Sequence, residues 1–473
     1  MKAIVNSRNQ RMKQLQFEQL RERAMGDVIV PKDAAYDETR SLWNALIDKR
    51  PAAILRATSA EDVATAVTFA RSHELKVSVR GGGHNIAGTA SGDGVLMIDL
   101  SLMNTVTIDP DRRTVAVQGG ATLHDLDRAT SAFDLATPGG VVSSTGVAGL
   151  TLGGGFGWLS RLHGLAADNL LSVDVVTAAG EILCASAGDH DDLFWALKGG
   201  SGNFGIATTL RFRLHKLPRN ILFGPTFFAI EEAADCLRNY RDVAVDAPRE
   251  CCVWSDLMTA PPFPFIPERY HGTPVLGLMQ CYIGDAAEGE AVLRPLREFG
   301  APIADAVGPM RYVDAQQILD ETYAKGLRNY WKSSNFKMLN DAAIDELVAL
   351  AKTMPTRESD ILISLLGGCI GDVAIHDTAF PHRAVSFVVT PGARWSSAGD
   401  DGDCLAWIED AGARLREFED GGQYVNFIAE RDGEAARAYG VNLERLERVK
   451  GRYDPDNLFC QNQNIRPATT TDQ

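Results

Sequence analysis

Between residue 52 and about residue 217, short apolar runs alternate with amphipathic stretches. Val63, Ala66, Val67 and Ala70 recur at i, i+3, i+4 and i+7 behind Thr58-x-x-Glu61, which has capping-box spacing, so the pattern predicts a helix there. Strands are predicted at Lys76 to Val79, VLMIDL (95–100), TVAVQ (114–118) and LLSVDVVT (170–177), the last turning at Ala179-Gly180 into EILCA. Helices are predicted at Leu123 to Phe133 and Asp191 to Lys198, the second stopped by Gly199-Gly200. Such alternation is an α+β domain. From about 220 to 420 glycine thins, Pro, Phe and Trp rise, and PVLGLMQCYIG (274–284) and AVSFVVT (384–390) read as strands among helices, a second domain. The tail from Tyr424 holds a helix at Leu443 to Lys450 and then an irregular YDPDNLFCQNQNIRP, too short and polar for a third domain, so it is expected to return to the first.

A length of 473 residues suits two or three domains. The net charge of −15, without a basic patch, argues against nucleic acid and anionic lipid as partners. No apolar run reaches 18 residues, and the longest uncharged stretch, Leu135 to Ser160, carries eight glycines and a proline, which excludes it as a membrane helix. The first 25 residues show no apolar signal segment, giving the expectation of a cytoplasmic protein. Eight scattered cysteines without a C-x-x-C pair read as free buried thiols, and the adjacent Cys251 and Cys252 point to opposite faces of a strand.

Glycine is the informative residue, because 16 of the 44 fall between Gly81 and Gly157. Gly200-Ser-Gly-Asn-Phe-Gly205 matches the dinucleotide fingerprint, but a helix precedes it and a strand follows, the reverse of the order that fold needs. P-loop, zincin and nucleophile-elbow motifs are absent, and no metal site is expected. Val77-Ser-Val-Arg-Gly-Gly-Gly-His-Asn-Ile-Ala-Gly88 places three glycines directly after a strand, where successive N–H groups can form a nest for an anion such as pyrophosphate. On local chemistry alone His84, at its end, is either a functional imidazole or a hydrogen-bonded loop histidine. The second cluster, Pro138 to Gly157, alternates tiny and apolar residues with no charge, as backbone wrapping a flat apolar ring system requires. One large planar cofactor satisfies both.

RGGGHN, TPGG…GVAGLTLGGGFG, GLAADN (164–169), DLFWALKGG…NFGI (192–206), YVNF (424–427) and YDPDNLF…NQNIRP (453–467) together resemble, in order and spacing, the berberine-bridge-enzyme-like FAD-linked oxidases of the vanillyl-alcohol oxidase / p-cresol methylhydroxylase (PCMH) superfamily. The resemblance implies an α+β fold: a two-subdomain PCMH-type FAD-binding domain over residues 1–220, an antiparallel-sheet substrate domain covered by helices over 221–420, and a C-terminal segment, 421–473, returning to the first domain. It implies FAD bound covalently through His84, without the second link of bicovalent relatives, since Val142 stands where they carry cysteine. Arg80, Gly81, Gly82, Gly83, Asn85 and Gly88 are then expected at the pyrophosphate. Gly119, Gly120, Gly140, Val141, Thr145, Gly146, Gly149, Gly153, Ile206, Asn426 and Asn464 are expected along the rest of the cofactor. Thr145, with valine's volume, occupies the position where a small β-branched residue admits O2, which implies an oxidase releasing hydrogen peroxide.

The activity so implied is hydride removal from a CH–OH, CH–NH or phenolic centre of a small organic molecule; a dehydrogenase using another acceptor and a catalytically silent FAD-holding protein are the alternatives. Tyr424 matches the family's tyrosine over the flavin and is the candidate base, against the reading of a buried structural tyrosine, with Asn426 expected on the same strand face. Near pH 7 such a base needs a neighbouring cation or a low-barrier hydrogen-bond partner. The strand AVSFVVT offers only Ser386 and Thr390 as polar groups, neither a base, so the family's acidic alternative is set aside. Tyr330, Lys332 and Thr390 are substrate-side candidates, Lys332 as a cation able to lower a tyrosine's pKa, and Trp331 is expected in the core.

Overall fold

A computed structural model describes residues 17–430 and 433–468. Sheets of four, five and nine strands, with a two-stranded ribbon of Leu135–Ala136 and His215–Lys216, make an α+β fold. In the first, Ala53–Arg56, Leu96–Asp99 and Val77–Arg80 run parallel, with Asp27–Ile29 added antiparallel at one edge. The helix Ala60–Ser72 buries Val63, Ala66, Val67 and Ala70 here, the spacing seen in the sequence. Its cap lies one residue later than the sequence suggested: the Ser59 hydroxyl accepts from the Asp62 amide, while Asp62 turns its carboxylate back to Thr58 and to the Met25 and Gly26 amides. A carboxylate with these partners is worth more inside than a Glu61 side chain in solvent.

The second sheet is antiparallel, in the order Val106–Asp109, Thr114–Gln118, Ile206–Arg213, Leu170–Val176, Ile182–Ser186. Leu123–Ser131 packs beside it under a full capping box between Thr122 and Asp125. The third sheet has nine strands, its central run being Ile221–Ala229, Pro274–Tyr282, Cys251–Thr259, Asp360–Leu365, Phe387–Trp395 and Arg328–Trp331, all antiparallel. Helices Ala233–Asp246, Ala286–Arg297, Asp341–Ala351 and Asp401–Leu415 bury their apolar stripes against it in the largest core. All eight cysteines are free, but Cys184 is exposed and Cys369 and Cys460 are half-buried, so only five behave as interior thiols. No helix among the described residues is long and apolar enough to cross a membrane.

The helix Leu443–Tyr453 lays the tail against the earlier sheets through one fully buried ion pair. Lys450 Nζ donates to Asp454 Oδ2 at 2.6 Å, to the Asn203 carbonyl at 2.7 Å and to the Phe459 carbonyl at 3.1 Å. Asp454 in turn accepts the Leu458 and Phe459 amides. Each charge is saturated by hydrogen bonds, the condition under which a buried pair holds, whereas removing one partner strands the other. Replacing Lys450 by Met is therefore expected to lower the unfolding free energy by about 3–5 kcal/mol, read from denaturant or thermal melts; a wild-type midpoint would show that the tail is held by other contacts.

Candidate active site

A long cavity runs between the two small sheets and the inner face of the large one. One wall is main chain. Gly81, Gly82 and Gly83 follow the strand Val77–Arg80, and Gly119, Gly140, Gly146 and Gly149 lie opposite or beyond. The segments touch backbone to backbone: a Cβ at Gly82 would come 2.4 Å from the Gly146 nitrogen, and one at Gly146 would come 2.4 Å from the Gly82 nitrogen. Glycine is the residue that permits such an approach. The wall carries no lysine or arginine among the described residues. The main-chain N–H groups of Gly81, Gly82, Gly83 and His84 donate to no acceptor among the described residues, and Ser78 Oγ, on the same wall, is buried without a partner. Unsatisfied donors in a concave loop are what an anionic group takes up, so the residues present fit the pyrophosphate of FAD at this end.

His84 projects from the end of this loop. Its ring stacks on Trp43 (centroids 4.4 Å apart), and its Nε2 lies 2.9 Å from Ser144 Oγ. Desolvation lowers its pKa to about 4, so the imidazole is neutral at pH 7. Thr145 lines the cavity beside it.

Tyr424 and Asn426 also line the cavity, though on a single 3₁₀ turn, Val425–Phe427, and not on the strand face expected. A strand would have aligned them by alternation; here they meet because Asn426 Nδ2 donates to the Tyr424 hydroxyl at 2.7 Å. The Gly155 amide donates to the same oxygen at 3.1 Å. Burial among Phe156, Phe380 and Phe427 pushes the Tyr424 pKa well above its ordinary value, and no cation among the described residues opposes it. With two donors already on its oxygen, Tyr424 keeps its own proton to donate into the cavity. At neutral pH it is therefore protonated, which favours the role of hydrogen-bond donor over that of base.

The opposite wall is one face of the large sheet. Register places Asp256 across from Leu362, Leu362 from Thr390, Asp360 from Gly392, and Gly392 from Trp331. Trp331 therefore faces the cavity and is not core. The same alternation turns Tyr330 and Lys332 to the other side, where both hold Glu430: Lys332 Nζ at 2.6 Å and the Tyr330 hydroxyl at 3.3 Å. Burial there raises Tyr330 to about 12 despite Lys332, and neither residue lines the cavity, which corrects their placement as substrate-side groups.

Fifteen of the expected residues line the cavity: Gly81, Gly82, Gly83, His84, Asn85, Gly119, Gly140, Val141, Thr145, Gly146, Gly149, Ile206, Thr390, Tyr424 and Asn426. The others stand behind it. Arg80 is spent on Asp99 and on the Thr39 carbonyl; Gly88 packs on Ile47, Gly120 on the Leu100 carbonyl and Gly153 on the Asn426 amide. Asn464 is also off the wall, and the tail contributes Gln461 and Asn462 instead. The sequence reading missed Asp360, the one charged side chain on the wall among the described residues, together with Tyr323 and Trp254. A carboxylate opening the apolar run Asp360-Ile-Leu-Ile-Ser-Leu365 was the available signal. The Tyr323 hydroxyl donates to Asp360 Oδ2 at 2.9 Å, and Arg394 Nη2 donates to the same oxygen at 2.7 Å. No cluster of metal-ligating side chains occurs among the described residues.

Comparison with known proteins places this geometry. The family model described as "FAD binding domain" matches residues 51–186, and the one described as "Berberine and berberine like" matches residues 423–466. The chain is 30% identical over 456 residues to (R)-6-hydroxynicotine oxidase of Paenarthrobacter nicotinovorans, covering 93% of this chain and 97% of that one. It is 30% identical over 439 residues to an FAD-linked oxidoreductase of Dictyostelium discoideum, covering 90% and 91%. The solved structure of BBE-like 1 from Physcomitrella patens shares the fold, with a TM-score of 0.87, 23% identity and coverage of 96% and 99%.

Substituting Phe for Tyr424 removes a donor and leaves the Gly155 and Asn426 groups without their acceptor. Turnover is expected to fall about 10- to 100-fold, in line with loss of a buried hydrogen bond or two, with the pH profile of kcat unmoved. A profile that loses its basic limb in the variant would instead make Tyr424 the base.

Proposed function

The chain belongs to the berberine-bridge-enzyme-like FAD-linked oxidoreductases, and on that premise we propose that it is an oxidase that holds FAD through His84, oxidises a small organic molecule and returns the electrons to O2 as hydrogen peroxide. Bound FAD supplies the hydride acceptor and, once reduced, the reaction with oxygen. The chain does the rest. The unsatisfied N–H groups of Gly81 to His84 hold the anionic end, and the glycine wall gives a flat group room to lie.

The observation that carries the reading is the state of His84. A tethering imidazole must offer a lone pair, and desolvation with Trp43 stacking keeps this ring neutral and immobile at the end of the nest. Val142, which also lines the cavity, has no thiol, which supports a single tether. Asp360 is the carboxylate placed to take the proton that leaves substrate with the hydride, and Tyr424 donates a hydrogen bond across the cavity. Thr145 leaves the wall open to a diatomic molecule, which supports oxygen as acceptor.

Acid precipitation tests the tether: flavin is expected to stay with the wild-type chain and to enter the supernatant from His84→Ala. Yellow supernatant from both proteins would refute covalent attachment. The acceptor is tested by mixing anaerobically reduced enzyme with oxygenated buffer. Thr145→Leu should slow reoxidation at least about tenfold, the size of a steric loss of a few kcal/mol at most; wild-type reoxidation no faster than free flavin would point to a dehydrogenase.

A further inference from the structure

Two carboxyls share the inner face of the large sheet with one guanidinium. Asp360 Oδ2 is occupied by Tyr323 and Arg394, but Oδ1 faces the bare Cα of Gly392, where an added Cβ would lie 2.8 Å away. Gly392 presents no side chain, so this oxygen is reachable from the cavity that both residues line. Asp256 sits one strand over on the same face, and its Oδ1 is buried without a partner. Arg394 is engaged behind them: Nε donates to the Glu358 carbonyl, and the guanidinium lies 4.2 Å over the Tyr323 ring. One positive charge thus serves two carboxyls, on a wall with no lysine or arginine among the described residues, in a chain whose net charge of −15 draws cations.

We propose that Asp256 and Asp360 form a cation-recognition site and that the substrate is an amine, entering protonated with its ammonium group against Asp360. This rests on the oxidoreductase reading above and narrows its substrate class. The chemistry balances: the ammonium proton passes to the Asp360 carboxylate and frees the nitrogen lone pair. The adjacent carbon then loses hydride, two electrons and a proton, to the flavin of the holoenzyme, and the product leaves as an iminium ion.

The groups facing Asp360 are Asp256 on Cys251–Thr259, Arg394 on Phe387–Trp395, and Tyr323. Desolvation raises both carboxyls, and the charge of Asp360 raises Asp256 further, so the empty pair keeps a proton above the ordinary carboxylate range. A bound cation competes with that proton. Affinity for a permanent cation therefore rises with pH as the pair ionises.

Benzamidine and benzamide separate charge from shape, since both are flat, neither has an oxidisable α C–H, and only the first is a cation. Titrated into holoenzyme and followed by the visible flavin spectrum and by tryptophan quenching, benzamidine is expected to bind at least about tenfold tighter, as one desolvated ion contact supplies. Its affinity should climb with pH while that of benzamide stays level. Asp360→Asn should reduce the preference to below about threefold, but it strands Arg394 and can fail to fold. Asp256→Asn, which breaks no hydrogen bond of Arg394, is the second variant, with the same expectation. Equal binding of the two probes to wild type, or a full preference surviving in folded Asp256→Asn, overturns the proposal. Tryptophan quenching reads the same titration without flavin, so a protein that fails to hold FAD would sink the oxidase reading and leave this one to its own result.

Discussion

Main chain lying directly on main chain is the constraint from which the site follows. Where Gly82 meets Gly146 there is no room for a single carbon on either side. A wall built that way offers peptide dipoles and flatness but no formal charge. An anionic cofactor must then be met by N–H groups and not by lysine or arginine, and neither lines the cavity among the described residues. Stiffness comes from behind: Gly119 is pressed to the Ala207 carbonyl, Gly120 to the Leu100 carbonyl, and Gly139 to the Leu123 side chain. Close packing leaves these segments few alternatives.

The facing wall works by the opposite logic. Strand alternation there sorts side chains into two populations with different chemistry. Trp331, Gly392 and Asp360 are turned inward, while Tyr330 and Lys332 are turned out to Glu430. Asn44 bridges the two halves, donating to the Ile86 and Asn329 carbonyls and accepting the Asn329 amide. The loop that carries His84 and the strand that carries Trp331 are thereby held at a fixed separation.

Most of the cofactor side was legible in the sequence because glycine clusters and their order along the chain are one-dimensional signals. TVAVQ is a strand over the residues expected, and the helix at Leu443 extends only a few residues further than its pattern suggested. The substrate side was not legible in the same way. Whether Tyr330 or Trp331 reaches the cavity depends on which residue pairs with Gly392, and pairing across 61 positions leaves no local trace. The place of Asp360 on the cavity wall leaves no mark of its own, because its pairing with Gly392 of the neighbouring strand exists only in the fold. Tyr424 and Asn426 do meet, by a hydrogen bond across a tight turn where alternation had been assumed. Arg80, next to the glycine loop in sequence, is held by Asp99 and does not line the cavity.

The Gly82–Gly146 contact also divides the molecule by how freely it can change. Any residue with a side chain at either position collides with peptide atoms, so neither position can take a side chain without shifting the wall. On the sheet face, Leu362, Thr390 and Trp331 border open space, and exchanges there alter what is recognised without disturbing how the cofactor half is built. New specificities can arise from such a scaffold by rewriting one surface while the other is inherited unaltered.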